Sequence, residues 1–507
     1  MAENLYDIFV IGGGVNGTSV ARDAAGRGLS VYLAEKDDLA NHTSSASTKL
    51  IHGGLRYLEH YEFKLVREAL SEREVILRSA PHIVWPLRFV LPYAKGLRPR
   101  WMLRAGLFLY DNIGKRKLLP GTESIKFDSH VAGEPLKEDF QFGFVYSDAW
   151  VMDARIVMLN AKSAENNGAK IHTRCEVISA KRTENNSQWQ VQVRDNNTGA
   201  ESIITAKTLI NAAGPWVSSI LGKDKVDFHT KESVRLVQGS HIVVPKLFDH
   251  PYCYIFQNAD NRIIFAIPYE QDFTLIGTTD VDYKGDPAQV KCSLAEKEYL
   301  TAAASEYFKK PITVADIVWD YAGVRPLYDD GAEKAQKATR DFVLSLDAPN
   351  NNANGAILNI FGGKITAARE LGEKVMHKIA PLFNNNHGDW TAGEILPGGD
   401  IGLDFDLYLS QFQMKYPWLS DALAYHYVRH YGSLAHQIIG DAKSMEGLGT
   451  HLGDICYEAE LSYSVNNEYT QTAEDFLWRR TKMGLHYTPE TIAKVNEWFQ
   501  TSSANFV

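Results

Sequence analysis

The first forty residues contain two apolar runs separated by a stretch with helical spacing. "YDIFVIGG" (6–13) and "LSVYLAE" (29–35) each have the pattern of a buried strand, and the segment between them has small residues on one helical face. The order strand, glycine turn, helix, strand predicts a βαβ unit at the start of the chain. Further strand signals occur at 170–178, 189–195 and 207–212.

The middle and the last part of the chain have different patterns. Short apolar runs such as "SHIVVP" (240–245), "RIIFAIP" (262–268) and "FTLIGTTD" (273–280) favour a mixed sheet over further βα repeats. From about residue 395, after the glycine-rich "LPGGD", the apolar spacing becomes helical, as in "FDLYLSQFQMKYPWLSDALAYHYVRHYG" (405–432). This change predicts a C-terminal helical domain.

Composition and charge narrow the class of protein. The 507 residues are 45% hydrophobic and 23% charged, which is typical of globular proteins and suggests two or three domains. A net charge of -9 argues against nucleic-acid binding. The N-terminus lacks the features of a signal peptide and no run is long enough to span a bilayer, so we expect a cytoplasmic protein. Four cysteines have neither metal-ligand nor disulfide spacing: Cys175, Cys253, Cys292 and Cys456.

A dinucleotide fingerprint connects the first strand to the first helix. Gly12, Gly14 and Gly17 form G-x-G-x-x-G, and Glu35 ends the following strand. The first glycine allows a tight turn, the second allows a pyrophosphate to approach the backbone, and the third allows the helix to pack closely on the strand. Glu35 can accept hydrogen bonds from ribose hydroxyls. The fingerprint alone leaves NAD and FAD open.

Two later segments favour FAD over NAD. The sequence contains no motif with metal-ligand spacing. "TLINAAGPW" (208–216) is an apolar strand that ends in small residues around Gly214, typical of a chain returning to a bound flavin. "IFGGKITAARE" (360–370) places Gly362 and Gly363 before a helix whose positive end can face the N1–C2=O region of a flavin. A long cofactor contacted by several segments explains both features.

With these residues identified, the chain resembles the FAD-dependent glycerol-3-phosphate dehydrogenases through nearly its whole length. It departs from the family pattern at Ala213, Ala367 and Ala368. The segments that carry the resemblance are "VIGGGVNG" (10–17), "TSSASTKLIHGGLRYLEHYEF" (43–63), "GSHIVVP" (239–245), "IGTTDVDYKGDP" (276–287), "GVRPL" (323–327), "FGGKITAARE" (361–370) and "LWRRTKMGL" (477–485).

The resemblance implies an α/β fold with an FAD-binding Rossmann-like domain of the glutathione-reductase and D-amino-acid-oxidase type. A mixed-sheet substrate domain is expected to be inserted in it, with a helical domain at the C-terminus. The expected bounds are 1–390 for the oxidoreductase region, with FAD-binding parts at about 1–80, 150–235 and 355–390 and substrate parts at about 81–149 and 236–354, followed by 391–507 for the helical domain.

The implied activity is oxidation of sn-glycerol 3-phosphate to dihydroxyacetone phosphate. Hydride passes to FAD, and the electrons pass on to ubiquinone or menaquinone in the membrane. The resemblance also implies a peripheral enzyme on the cytoplasmic face of the inner membrane, and it leaves homodimer formation open.

The stretch "LIHGGLRYLE" (50–59) is the expected centre of the reaction. Its two glycines leave bare backbone that can lie against the flavin ring, while His52, Arg56 and Tyr57 project toward the substrate. A phosphate dianion calls for cations, since charge-assisted hydrogen bonds fix both its position and its orientation. The resemblance implies that further substrate contacts come from Arg325, Arg340, Lys364 and Thr366.

The proton acceptor is expected to be a histidine, and Arg325 is expected to assist. His52 is preferred because an ordinary imidazole pKa near 6.5 suits a general base. His241 is the second candidate, since a single histidine in an apolar strand is more commonly a core residue. Ser44, Ser45 and Ser47 precede the stretch and can donate to the pyrophosphate or to the flavin edge.

The segment 93–121 has a different pattern from the rest of this acidic chain. Its basic residues flank an apolar, aromatic helix, and Asp111 is its only acid. An ordinary helix packed on the core and an anchor at an anionic membrane surface both fit this pattern. The resemblance favours the anchor. The cations are Lys95, Arg98, Arg100, Arg104, Lys115, Arg116 and Lys117.

Two other functions fit part of the sequence. An amino-acid or amine oxidase of the same fold would bind a carboxylate through Arg325, but it would not need so many cations. A dinucleotide-binding protein without turnover would not need a histidine and an arginine beside paired glycines.

Overall fold

A computed structural model describes residues 5–94, 98–114, 116–258, 260, 262–331, 341–349 and 352–502. The side chains of Arg56, Glu59, His60 and Ser502 lie outside this description.

Helices and strands within these ranges are numbered in chain order. The helices are α1 (Val15–Gly26), α2 (Phe63–Ser79), α3 (Arg100–Ile113), α4 (Asp153–Asn166), α5 (Leu294–Ser305), α6 (Ala368–Ile379), α7 (Phe405–Lys415), α8 (Asp421–Tyr431), α9 (Ala435–Ile439), α10 (Glu458–Asn467) and α11 (Pro489–Ser502). The strands are β1 (Leu5–Ile11), β2 (Val31–Ala34), β3 (Leu50–Ile51), β4 (Val84–Pro92), β5 (Glu123–Lys126), β6 (Phe142–Val151), β7 (Lys170–His172), β8 (Cys175–Arg182), β9 (Trp189–Asp195), β10 (Glu201–Asn211), β11 (Val234–Pro245), β12 (Cys253–Gln257), β13 (Ile263–Tyr269), β14 (Phe273–Gly277), β15 (Val281–Asp282), β16 (Trp319–Tyr328), β17 (Val343–Asp347), β18 (Ala356–Phe361), β19 (His451–Gly453) and β20 (Cys456–Tyr457).

The first sheet has the order β17-β18-β10-β1-β2-β7, with β9 and β8 continuing antiparallel from β10. β1 is parallel to both β2 and β10, and β10 is parallel to β18. Ile11 is level with Ala34 and Asn211, so these strands end at one edge. Ligands of open α/β sheets bind outside that edge.

The core of this first layer comes from the apolar positions predicted at the start of the chain. Val10 of β1 and Val20 of α1 are fully buried, and they share one cluster with Leu371 of α6. The predicted strand at 170–178 is divided into β7 and β8, because Arg174 between them takes a left-handed conformation with φ of 54°.

The second sheet has the order β15-β11-β14-β13-β12-β4-β6-β3, with β16 paired to β11 and β5 paired to β6. Its pairs are antiparallel except β12 with β4. β3 pairs with the end of β6 and leads directly into His52. Residues Val237 and Arg325 are opposite each other on β11 and β16, as are His241 and Tyr321. The mixed sheet predicted for the middle of the chain is confirmed.

The C-terminal part, from Phe405 onward, is mainly helical, as predicted, with the small hairpin β19–β20 in addition. Two arginines from this part reach the cofactor side of the first sheet. Arg480 donates to Asp38 Oδ1 at 2.7 Å and Arg479 to Asp38 Oδ2 at 2.6 Å, and all three side chains are buried. The α/β fold with a C-terminal helical part is therefore confirmed.

Candidate active site

One continuous cleft of about 770 Å³ connects the carboxyl edge of the first sheet with the face of the second sheet. This volume is in the range of sites for small molecules and cofactors. Gly12, Glu35 and Trp216 line one end, which we call the cofactor end. His52, His241 and the cations lie at the other, which we call the substrate end.

The glycine turn at the cofactor end is closely packed. Gly12 has φ of 106°, and a Cβ there would lie 2.7 Å from the carbonyl oxygen of Ala212. A Cβ at Gly17 would lie 1.9 Å from the carbonyl oxygen of Gly12, so Gly17 allows α1 to pack against the turn. Gly17 does not line the cleft, whereas Gly14 does. A Cβ at Gly14 would meet only Ser44 Oγ, at 3.2 Å.

The three predicted serines have different surroundings. Ser44 Oγ accepts from the N–H of Val15 at 3.0 Å, which places it at the start of α1 in the cleft wall. Ser45 does not line the cleft, and its hydroxyl donates to the carbonyl of His42. Ser47 lines the cleft but donates its hydroxyl to Asp153 at 2.8 Å.

Glu35 holds the turn as well as lining the cleft. Its carboxylate accepts from the N–H groups of Gly13 at 2.7 Å and Asp37 at 2.9 Å. Burial raises the pKa of Glu35 above its ordinary value, and the two N–H donors oppose that effect. Each carboxylate oxygen has a second lone pair, which is available to a ribose hydroxyl.

Gly214, Gly362 and Gly363 line the cleft where the strands β10 and β18 have ended. Gly363 has φ of 110°, and a Cβ there would lie 2.8 Å from Asn16 Nδ2. Asn16 donates to the carbonyl of Gly362 at 3.1 Å, and its buried Oδ1 has no hydrogen-bond partner among the described residues. Asn16 was not predicted as a site residue, although it lies inside the fingerprint.

His52 lies at the substrate end, at the start of a loop of bare backbone. Its N–H donates to Thr366 Oγ1 at 3.3 Å, just before α6 begins, and Gly54 takes a left-handed conformation with φ of 72°. Burial lowers the pKa of His52 to about 4, with smaller contributions from the positive charges of Lys364 and Arg73. The imidazole is therefore neutral at pH 7, which is the form that accepts a proton.

His241 is the second histidine of the substrate end. Its Nε2 lies 2.9 Å from Thr48 Oγ1, and its ring stacks on Tyr321 with centroids 4.8 Å apart. Burial lowers the pKa of His241 well below its ordinary value, and the charges of Lys49 and Arg325 lower it further. Thr48 was not predicted as a site residue, although it lies in the quoted motif.

Two of the predicted cations have described side chains here. Arg325 donates to Asp280 Oδ1 at 2.5 Å and to the carbonyl of Thr279 at 2.8 Å. Gly239 leaves room for this guanidinium, because a Cβ there would lie 2.0 Å from Arg325 Nη2. Asp280 was not predicted as a site residue, although it lies in the quoted motif at 276–287.

Lys364 and Tyr57 form a pair, with Lys364 Nζ 4.1 Å from the ring centroid of Tyr57. This distance fits a cation–π contact. Arg340 and the side chain of Arg56 lie outside the described residues.

The described ranges contain no candidate metal site. No group of three or more His, Cys, Asp or Glu side chains there could hold an ion.

Residues 7–369 match the family model described as FAD dependent oxidoreductase, over more than half of the chain. The chain belongs to this family. Residues 390–503 match the C-terminal domain of alpha-glycerophosphate oxidase. The prediction of FAD is confirmed by the membership of an FAD-dependent family.

Three relatives of this FAD-dependent family member are informative. A D-erythritol 1-phosphate dehydrogenase from Brucella abortus is 48% identical over 98% of this chain and 98% of its own. An aerobic glycerol-3-phosphate dehydrogenase from Escherichia coli is 47% identical over 97% of both chains. The structure of glycerol-3-phosphate dehydrogenase from Bacillus halodurans complexed with FAD has a TM-score of 0.76, with 26% identity over 99% of this chain and 95% of that chain. The resemblance to the glycerol-3-phosphate dehydrogenases is confirmed.

The residues present fit an FAD at the cofactor end. Gly14 has no side chain between α1 and the cleft, and the helix N-terminus suits a pyrophosphate. The Oδ1 of Asn16, which has no partner among the described residues, and the hydroxyl of Ser44 add polar groups to that wall.

Proposed function

We propose that this protein oxidises the secondary hydroxyl of sn-glycerol 3-phosphate and yields dihydroxyacetone phosphate. The observation that carries the proposal is the continuous cleft formed by the described residues. It has a dinucleotide turn at one end, and two histidines of low pKa beside Arg325 and Lys364 at the other. The names of the relatives in Escherichia coli and Bacillus halodurans support the same reaction.

FAD, when bound, supplies the acceptor for the hydride that leaves the substrate carbon. Lys364 and Arg325 bind the phosphate and so fix which carbon faces the cofactor. Neutral His52 accepts the hydroxyl proton, with His241 as the second candidate. A bound phosphate dianion opposes the effect of Lys364 and raises the pKa of His52 toward the working range of a general base.

Oxidation of D-erythritol 1-phosphate is a second candidate, because the Brucella abortus relative is 48% identical over 98% of this chain. Both substrates combine a terminal phosphate with an oxidisable secondary hydroxyl. The amino-acid oxidase alternative has weaker support. The glycine oxidase from Geobacillus kaustophilus is 19% identical with a TM-score of 0.55, and this likeness indicates only the fold.

The test is reduction of a soluble dye by the FAD-loaded protein. sn-Glycerol 3-phosphate, D-erythritol 1-phosphate, glycerol and glycine are compared at equal concentrations. The proposal predicts the highest kcat/KM for sn-glycerol 3-phosphate. A higher value for D-erythritol 1-phosphate would select the second candidate, and turnover of glycine alone would select an amine oxidase.

For the division of the chain, we propose that the first sheet and its helices form the cofactor-binding domain and the second sheet forms the substrate domain. The strand memberships support this division, although β3 lies in the second sheet and β17 in the first, outside the bounds expected from the sequence. Residues from 391 onward, which are mainly helical, form the third domain in this proposal.

We also propose that α3 attaches the protein reversibly to the cytoplasmic face of the inner membrane, where the electrons pass to ubiquinone or menaquinone. Trp101 is 70% exposed and Phe108 66% exposed, so large apolar side chains of α3 face outward. Arg100, Arg104 and Lys117 lie in the same segment, and this combination suits an anionic lipid surface. No helix in the described ranges has the length and apolarity to cross a bilayer.

The membrane proposal is tested by sedimentation with vesicles that contain anionic lipid. A Trp101→Ser, Phe108→Ser double variant should lose vesicle binding and quinone reduction while keeping dye reduction. In the matched control, Leu407 and Met414 of α7 are changed to Ser. These two side chains are 56% and 73% exposed. Equal loss in both double variants would mean that α3 is not the attachment surface.

A further inference from the structure

The loop that carries His52 forms a hydrogen bond with the buried phenol of Tyr110. The N–H of Gly53 donates to Tyr110 Oη at 2.9 Å. Tyr110 Oη lies 2.8 Å from both carboxylate oxygens of Asp148, so its only proton is donated there. A lone pair of the phenol oxygen remains to accept from Gly53.

Asp148 is in turn fixed by a buried arginine. Arg73 Nη1 donates to Asp148 Oδ1 at 2.6 Å and to the carbonyl of Ser147 at 2.7 Å. Both charged side chains are buried, and burial raises the pKa of Asp148 to about 6. The carboxylate therefore holds the phenol in one orientation, and the N–H of Gly53 contributes to lowering the pKa of the same carboxylate.

The loop has little room to move away from this support. A Cβ at Gly53 would lie 2.5 Å from Leu70 Cδ2 of α2 and 2.9 Å from Tyr110 Oη. On the neighbouring residue, the N–H of His52 donates to Thr366 Oγ1. Two successive N–H groups of the loop are thus held by side chains from different elements.

Tyr110 belongs to α3, the helix whose outer face carries Trp101 and Phe108. Leu107 and Tyr110 are the buried residues of this helix, and each is 1% exposed. They share one hydrophobic cluster with Leu50, the residue that begins β3 just before His52. A shift of α3 therefore moves the group that accepts from Gly53.

We propose that Tyr110 is a positioning residue that transmits the seating of α3 to the imidazole of His52 through the N–H of Gly53. The inference rests on the proposed function for the role of His52 in turnover and for the role of α3 at the membrane. It adds a structural connection between the outer surface and the reacting group.

The first test compares Tyr110→Phe with the wild-type holoenzyme in dye reduction with sn-glycerol 3-phosphate. Loss of the hydroxyl should lower kcat on the order of tenfold through misplacement of His52, with KM within about twofold because the phosphate contacts remain. Tyr254→Phe is the matched control. Tyr254 is a buried phenol that donates to the carbonyl of Ala132 at 2.7 Å, on a core cluster away from the cleft.

A second test does not depend on the substrate. In protein labelled with [¹³C]histidine, the His52 signal is assigned by its loss in His52→Gln. Tyr110→Phe and Leu107→Val should both shift that signal, and Tyr254→Phe should leave it unchanged. Absence of wild-type turnover would count against the proposed function, whereas an unchanged His52 signal in Tyr110→Phe would overturn the role of Tyr110.

The effect of Leu107→Val on kcat should depend on the hydroxyl of Tyr110. Leu107→Val should lower kcat in the wild-type background and should have little further effect in the Tyr110→Phe background, because the connection has already been removed. Equal fold-changes in the two backgrounds would overturn the transmission through Tyr110. Equal loss of kcat and of bound flavin in Tyr110→Phe and Tyr254→Phe would reduce Tyr110 to a stabilising residue.

Discussion

The two ends of the cleft are built from different parts of the polypeptide. At the cofactor end the main elements are backbone, with Gly12, Gly14 and Gly363 bringing bare peptide groups to the surface. At the substrate end they are side chains, such as His52 and Arg325, brought together from segments far apart in sequence. Substitutions at the cofactor end should therefore act by steric clash and by weakening FAD binding. Substitutions at the substrate end should act by changing charge and proton transfer.

The largest effect is expected at Gly17, where an added side chain would clash directly with backbone. Gly17→Ala should yield protein that retains no FAD, because the new Cβ would lie 1.9 Å from a backbone oxygen that cannot move independently. Overpacking of this kind costs about 1–3 kcal/mol or more. Absorbance of bound flavin per chain measures the result.

The control for this prediction is Gly388→Ala, since a Cβ there meets nothing within 4 Å. Gly14→Val provides a second comparison, because it should leave the apoprotein folded and block only the approach of the pyrophosphate. A Gly17→Ala protein with a full complement of FAD would contradict the packing role.

The next largest effect is expected from a substitution of Arg325 that removes its positive charge. Arg325→Met should reduce kcat/KM for sn-glycerol 3-phosphate more than tenfold, about 1.5–3 kcal/mol, by removing a charge-assisted contact. Flavin content should stay normal, and the much slower oxidation of glycerol should change little.

This variant leaves Asp280 without its partner, so a second variant is needed. Arg325→Met with Asp280→Asn removes both charges of the pair. Full recovery of kcat/KM in the double variant would show that the single change acted through repulsion by Asp280, and Arg325 would not bind phosphate.

A smaller effect is expected on the pH dependence. The charge of Lys364 disfavours the imidazolium form of His52, so Lys364→Met should raise the pKa of His52 from about 4. Loss of kcat/KM on acidification should therefore begin at a higher pH than in the wild type, because the proton acceptor is occupied sooner. Lys207→Met, which removes a remote partner of Asp7, is the control and should leave the profile unchanged.

The smallest effect is expected from Ser44, at the cofactor end. Ser44→Ala removes the acceptor for the N–H of Val15 and should weaken FAD binding by about 1 kcal/mol, as for a lost helix cap. Ser45→Ala should leave the FAD dissociation constant unchanged, because that hydroxyl lies outside the cleft. Equal effects in titrations of the two apoproteins would remove the distinction between these serines.

The cofactor end could be predicted from the sequence more fully than the substrate end. The βαβ unit and its glycine turn are local patterns, so their spacing was sufficient. The pairs Arg325–Asp280 and His241–Thr48 each join a strand residue to a loop residue far away in sequence, and no local pattern gives such a contact. Tyr110 is the clearest case, because its segment has the pattern of a surface helix while its phenol supports the loop at Gly53. The division at Arg174 was missed because a left-handed residue there need not be glycine.

The contacts of Asp38 with Arg479 and Arg480 have a consequence for biosynthesis. Asp38 lies three residues after Glu35, and the buried guanidinium groups that neutralise it come from the C-terminal part of the chain. A nascent chain synthesised only as far as residue 470 has no such partner for this carboxylate, and an unpaired buried charge is strongly unfavourable. The turn after β2 therefore gains these charge partners only when the segment with Arg479 and Arg480 has been synthesised and has packed against it, so folding at this point near the N-terminus depends on the C-terminal part.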